Sequence, residues 1–256
     1  MDLGLKGKRA LVTGASKGIG AAVARSLAKE GCNLFLVARD LERLDALKVE
    51  LQKLDPGLTI DVLEMDMRGP EACQTVASAA GVIDILINNA GDVPGGTVLE
   101  IDEARWRQAW DLKVFGYINL AREVYREMTA TRHGVIINIV GTAGERPRGN
   151  HIAVASGNAA LLAFTRALGL ESVESNVRVV AINPGASETD RQIVRWKARA
   201  KDQLGDEDRW RELVADFPFG RLARPEEIAD VVTFVASERA SYMSGTAVTV
   251  DGGGHH

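Results

Sequence analysis

A chain of 256 residues with 46% hydrophobic and 26% charged residues carries enough apolar mass for one large core, and no linker divides it. The formal net charge of −4, from 31 Lys and Arg against 35 Asp and Glu with both signs interspersed, removes the electrostatic case for a nucleic-acid or anionic-membrane partner. Met1 opens on Asp2, Leu3 and Gly4 rather than on a basic and then apolar leader. No apolar run in the sequence approaches membrane-spanning length, so a cytoplasmic protein with a small-molecule partner is the expectation. Cys32 and Cys73 lack metal-ligand spacing and a second pair, which predicts reduced thiols and no metal site. His255 and His256 read equally as native residues or as a tag remnant.

The first apolar run, 10–12, reads as a buried strand, and Ile19, Val23 and Leu27 follow at the spacing of one helix face. Between them lies Thr13-Gly14-Ala15-Ser16-Lys17-Gly18-Ile19-Gly20. A glycine-rich turn from strand to helix leaves backbone N–H groups unpaired at the positive end of the helix and lets a pyrophosphate approach without a Cβ in the way. Further strand-length runs fall at 34–38, 60–63, 83–87, 135–140, 177–182 and 247–250, with helical patterns between most of them. Near-continuous apolar strands alternating with helices predict a single-domain α/β fold: a seven-stranded, doubly wound parallel sheet with helices on both faces. Ligands in such sheets sit beyond the carboxyl ends of the strands. A charged segment over 187–219, with Trp196 and Trp210, interrupts the alternation and is expected to form a helical lid. Its start is basic, with Arg191 and Arg195 on one helix face. An anionic substrate would suit that pair, but a solvated face is the plainer reading.

Thr13-Gly14-x-x-x-Gly18-Ile19-Gly20, Asn88-Asn89-Ala90-Gly91 and Pro184-Gly185-x-x-x-Thr189 together resemble the short-chain dehydrogenase/reductase family, over about residues 6–253. The resemblance implies a Rossmann fold and a nicotinamide dinucleotide. Ser16, Lys17, Gly18, Ile19 and Gly20 then belong to the phosphate loop beside Gly14. Lys17 and Arg39 stand where the family chooses between the two dinucleotides; a cation at each suits a 2′-phosphate, so NADP(H) is preferred, and Asp40 leaves NAD(H) possible. Asp66 and the Met67 backbone would meet the adenine edge, Asn89, Ala90 and Gly91 the ribose side, and Thr189 with the Pro184-Gly185 backbone the carboxamide. The resemblance also implies a homodimer or homotetramer, built through helices near 102–130 and 151–174 and the final strand.

The family's catalytic residues are an Asn, a Ser, a Tyr and a Lys. Asn138-Ile139-Val140-Gly141-Thr142-Ala143-Gly144 aligns Gly141 with the Ser, and thirteen residues on, Val154 stands at the Tyr. Asn158 occupies the Lys position, and Lys113-Val114-Phe115-Gly116 puts Lys113 at the Asn. Asn and Lys have thus exchanged residue types, so the ammonium is moved rather than deleted if both side chains reach one volume. His151 and Ser156 are the remaining polar candidates, with 151, 154, 155 and 158 on one helix face. The plainer readings are a solvated or interface lysine, a loop histidine and a serine bonding its own helix. Three functions compete: an NADP(H)-dependent oxidoreductase of a small alcohol or carbonyl with a rebuilt proton relay, a non-catalytic dinucleotide-binding sensor or inactive partner, and a lyase or dehydratase using the same pocket.

Overall fold

Alternate residues of the short apolar runs are buried on opposite faces, which is what a sheet covered on both sides requires. In β1 (Arg9–Thr13), Ala10 and Val12 join one core while Leu11 joins the other. The computed structural model describes residues 1–254, so the reading of His255 and His256 lies outside the described residues. After β1 come α1 (Gly18–Lys29), β2 (Asn33–Ala38), α2 (Leu41–Leu54), β3 (Ile60–Glu64), α3 (Ala72–Ala80) and β4 (Ile85–Asn88). The second half runs α4 (Glu103–Trp110), α5 (Gly116–Thr131), β5 (Gly134–Ile139), α6 (Ile152–Glu171), β6 (Val177–Pro184), α7 (Asp190–Leu204), α8 (Pro225–Ala236) and β7 (Thr246–Val250). The strands form one parallel sheet in the order β3-β2-β1-β4-β5-β6-β7. Helices α1, α2 and α8 cover one face, and α3 and α5 with part of α6 the other. The predicted single-domain, doubly wound Rossmann-like fold is therefore the observed one, and its strand order reverses between β1 and β4, where a crevice must open.

Strand limits depart from the apolar runs for local reasons. The fourth begins at Ile85 rather than residue 83, because the Asp84 carboxylate accepts the backbone N–H of Arg9 at 2.8 Å and turns the chain into the sheet. The fifth ends at Ile139, just before Gly141 takes a φ of +115°. Over 187–219 the chain forms α7, capped by the Thr189 hydroxyl, and two 3-10 turns around their own apolar cluster, in which Trp196 meets Phe217 edge-on at 5.6 Å. The expectation about membrane-length runs needs correction. Helix α6 and its 3-10 continuation, Ile152–Ser175, are long and apolar enough to pass that test, with a mean hydropathy of 1.3. Asn158 and Thr165 break the run in sequence without lowering the average enough, and the helix buries both of them with Leu161 and Leu162 against the sheet.

Three buried polar side chains of this core, Asn88, Asn138 and Thr165, are linked to one another. Asn88 donates to the Asn138 carbonyl oxygen at 3.0 Å and to the Tyr117 backbone carbonyl at 3.3 Å, and Asn138 donates to the Thr165 hydroxyl at 2.9 Å. This chain bolts β4, β5 and α6 together. Removing its centre strands two buried partners, so Asn138→Ala is expected to cost about 3 kcal/mol in urea unfolding, against well under half that for Thr165→Val, which lies at the end of the chain.

Candidate active site

The glycine loop is shaped by what it excludes. Gly14 and Gly18 have φ of +64° and +57°, and a Cβ on Gly20 would collide with the Gly14 carbonyl oxygen and the Asn89 amide. Asn89 closes the gap from β4: its amide nitrogen donates to the carbonyls of Thr13 at 3.0 Å and Gly14 at 3.2 Å. No side chain caps α1 and its first turn holds no acid, so the positive end of the helix is left for a ligand anion. The cavity that opens there, about 1260 Å³, follows the carboxyl ends of the strands as far as α7.

Most of the residues expected at a dinucleotide lie on this one cavity: Gly14, Ser16, Lys17, Gly18 and Ile19 on the loop, then Arg39 and Met67. Asn89, Ala90 and Gly91 follow on the next strand end, and Pro184, Gly185 and Thr189 at the far side. Gly20 stands behind the loop, where its role is close packing. Asp66 also stands off the cavity wall; Arg68 grips its carboxylate with bonds of 2.9 and 2.8 Å and holds it below the usual carboxylate range. Among the described residues neither Lys17 nor Arg39 has an ion-pair partner, whereas Asp40 caps α2 and pairs with Arg43 at 3.3 Å. The carboxylate that left NAD(H) open is already committed.

At the other end, a five-residue π-turn, Asp111–Phe115, joins α4 to α5 and carries Lys113. Such a bulge widens a helix and re-aims its side chains. The Lys113 ammonium donates to the Val140 carbonyl at 2.8 Å, its stem passing 3.1 Å from where Gly91 would carry a Cβ. Burial, with the Arg191 charge second, pushes its pKa down to about 8. Asn158 donates to the next carbonyl, that of Gly141, at 3.2 Å, leaving its own carbonyl oxygen buried without a partner. Lys113, His151, Val154, Asn158 and Gly141 all line the cavity, and the Lys113 and Asn158 side chains bond successive carbonyls on it. His151 ends its loop against Asn150 at 2.9 Å; burial, then Arg195 and Arg148, lower its pKa, so it stays neutral at physiological pH. Ser156 faces outward and bonds the Ile152 carbonyl at 2.8 Å, which takes it out of the candidate set. Tyr117 is buried behind the site, donating to the Ile139 carbonyl at 3.1 Å, and burial raises its pKa. Sequence reasoning missed Arg146, Arg148 and Asp92, which also line the cavity. Only the offset of the first two past β5 and of Asp92 past Gly91 hinted at them.

A crevice at the reversal of a parallel sheet, walled by a glycine loop and a strand-end asparagine, defines a dinucleotide-binding protein. Residues 8–200 match the short chain dehydrogenase family, and the chain belongs to it. It is 33% identical over 258 residues to 2,3-dihydro-2,3-dihydroxybenzoate dehydrogenase of Bacillus subtilis (strain 168), covering 98% of this chain and 97% of that one. It is 32% identical over 251 residues to the 3-oxoacyl-[acyl-carrier-protein] reductase FabG of Escherichia coli (strain K12), covering 98% of both. Among solved structures it resembles L-sorbose reductase from Gluconobacter frateurii, complexed with NADPH and L-sorbose, with a TM-score of 0.93 and 36% identity over 99% of this chain and 98% of that one. These relatives are oxidoreductases.

The Gly141 backbone matters for any attempt to place a hydroxyl there. Its φ of +115° is one that L side chains rarely adopt, and a Cβ would lie 3.1 Å from the Asn158 amide nitrogen. Gly141→Ser is expected to lower stability by about 1–3 kcal/mol in denaturant unfolding, a penalty that Gly141→Ser with Asn158→Ala relieves only in its steric part.

Proposed function

We propose that this protein is an NADP(H)-dependent oxidoreductase interconverting a small alcohol and its carbonyl, with Lys113 in place of the tyrosine that its relatives use for proton transfer. The observation that carries the reading is an ammonium with pKa lowered to about 8 on the same cavity as an intact set of dinucleotide motifs. Lys17 and Arg39, free of ion-pair partners among the described residues, would hold the 2′-phosphate. The uncapped start of α1 would hold the pyrophosphate, and Thr189 with Pro184 and Gly185 the carboxamide. When bound, the nicotinamide supplies or accepts a hydride. In reduction the Lys113 ammonium gives its proton to the substrate oxygen as the carbonyl π bond opens, and it recovers a proton from solvent through the cavity; in oxidation the amine takes that proton back. The Val140 carbonyl fixes the direction of Lys113 through one of its three N–H bonds, leaving two for the substrate. Val154, packed with Trp106, Val93 and Ile101, keeps water from the opposite wall. His151, neutral, orients substrate without serving as the acid. The 187–219 segment acts as the lid, and the molecule assembles as a dimer or tetramer.

Two measurements test this. Arg39→Ala and Lys17→Ala are each expected to weaken NADPH binding by about 10- to 100-fold while leaving NADH nearly unchanged, read by nucleotide fluorescence. Lys113→Met is expected to lower kcat by about 10²- to 10⁴-fold without loss of NADPH affinity. The sign of the pH dependence follows from the acid and base roles. Reduction needs the ammonium and declines as pH rises through about 8, whereas oxidation needs the amine and rises over the same interval. Tight NADPH binding with no turnover of any carbonyl would assign the protein instead to the non-catalytic binders, a reading that Gly141 and Val154, both without a hydroxyl, favour.

A further inference from the structure

The open end of the cavity holds more positive charge than its carboxylates answer. Arg191 is neutralised: its guanidinium meets Asp92 at 2.9 Å and the Gly91 carbonyl at 3.3 Å. Arg146 is neutralised by Asp251 at 2.9 Å and also donates to the Gly254 carbonyl. Asp190 turns away to Arg43 at 3.3 Å, and Asp216 on the far wall has no cation within ion-pair distance among the described residues. Arg199 lies 5.3 Å over the Trp196 ring, which leaves Arg195 and Arg148. They come from different elements, α7 and the loop after β5, yet both line the cavity and both act on the His151 ring that lies on its wall. Among the described residues neither guanidinium makes a hydrogen bond or an ion pair.

That arrangement is costly without a ligand. Burial first, and then the Arg191 charge four residues away on α7, lower the Arg195 pKa, with the Asp92 carboxylate only partly offsetting them. Two uncommitted planar guanidiniums on one pocket, both close enough to act on the His151 ring, suit a carboxylate, which accepts paired N–H bonds in one plane. The dinucleotide phosphates have their own donors at the other end, on the glycine loop and at Lys17 and Arg39.

We infer that the substrate is an organic acid whose carboxylate is held between Arg195 and Arg148, so that its reacting carbon is carried inward past His151 to Lys113. This rests on the cavity being the reaction chamber proposed above. The sequence made Arg195 one member of a solvated basic face; its place on the cavity wall, together with a second arginine unpaired among the described residues, is what changes that reading.

Calorimetric titration of the NADPH-saturated protein with cyclohexanecarboxylate and with cyclohexanecarboxamide tests it, since the two differ chiefly in charge. The acid is expected to bind at least about 10-fold more tightly than the amide, and Arg195→Gln and Arg148→Gln each to remove most of that difference while NADPH affinity stays within about two-fold of wild type. In the unmodified protein the preference for the acid should shrink as sodium chloride is raised, which keeps the test valid should a variant fail to fold. Equal binding of acid and amide, binding of neither, or a preference insensitive to salt would overturn the carboxylate site. Acid binding without turnover of any carbonyl or alcohol would leave that site standing and remove the oxidoreductase reading; turnover of neutral carbonyls without acid binding would do the reverse.

Discussion

The whole site hangs on the close approach of the glycine loop to the end of β4. Asn89 binds two successive carbonyls of that loop, the Thr13 hydroxyl accepts the N–H groups of Asn89 and Ala90 at 3.0 and 3.1 Å, and Gly20 has no Cβ because none fits between them. A parallel sheet whose order reverses between β1 and β4 must part its crossovers there, and these bonds fix how wide the parting is. With the junction set, the uncapped end of α1 faces one half of the crevice and the π-turn that carries Lys113 borders the other. The same short polar contacts thus determine both where a phosphate is held and how far away the chemistry lies.

What was legible in the sequence follows from the range of the forces involved. Alternation of buried strands and amphipathic helices is a local pattern, so the fold and the motif-bearing strand ends could be read directly; Ala10, Leu11 and Val12 already implied a sheet covered on both faces. Strand limits set by single side chains were not legible. Asp84 reaches back to the N–H of Arg9, seventy-five residues away, and nothing nearby in sequence announces it. Charges were the least legible. Arg191, Arg195 and Arg199 lie on one segment, but only the fold shows that Arg191 is taken by Asp92, that Arg199 lies 5.3 Å over the Trp196 ring, and that Arg195 is left with no such partner. For Asp66 the position after the third strand was legible, whereas its pairing with Arg68, two residues on, was not.

Lys113, Asn158, Gly91 and Gly141 are coupled through space. Lys113 and Asn158 bond successive carbonyls, those of Val140 and Gly141, at the end of β5. The lysine stem needs Gly91 to be bare, and the Asn158 amide needs Gly141 to be bare. Exchanging only one of the pair would bring two amides, or two ammonium groups, onto neighbouring carbonyls. The second arrangement would place like charges side by side in a poorly solvated space, where repulsion is several-fold stronger than in water.

That coupling bears on Val154. An ammonium in a wet pocket would keep the ordinary lysine pKa and would be a poor proton donor at neutral pH, because proton transfer is efficient when donor pKa and working pH are close. Lys113 is brought to about 8 chiefly by burial. Val154 and Val93 line the same cavity and cluster with Trp106, beside which Trp110 ties its indole N–H to the Ala153 carbonyl at 3.1 Å. In the proposed chemistry a hydroxyl at residue 154 would bring water and a competing hydrogen bond to the ammonium, raising the lysine's pKa and blunting the acid. In that chemistry the valine at residue 154 and the lowered pKa of Lys113 belong together, since each keeps the proton donor matched to neutral pH.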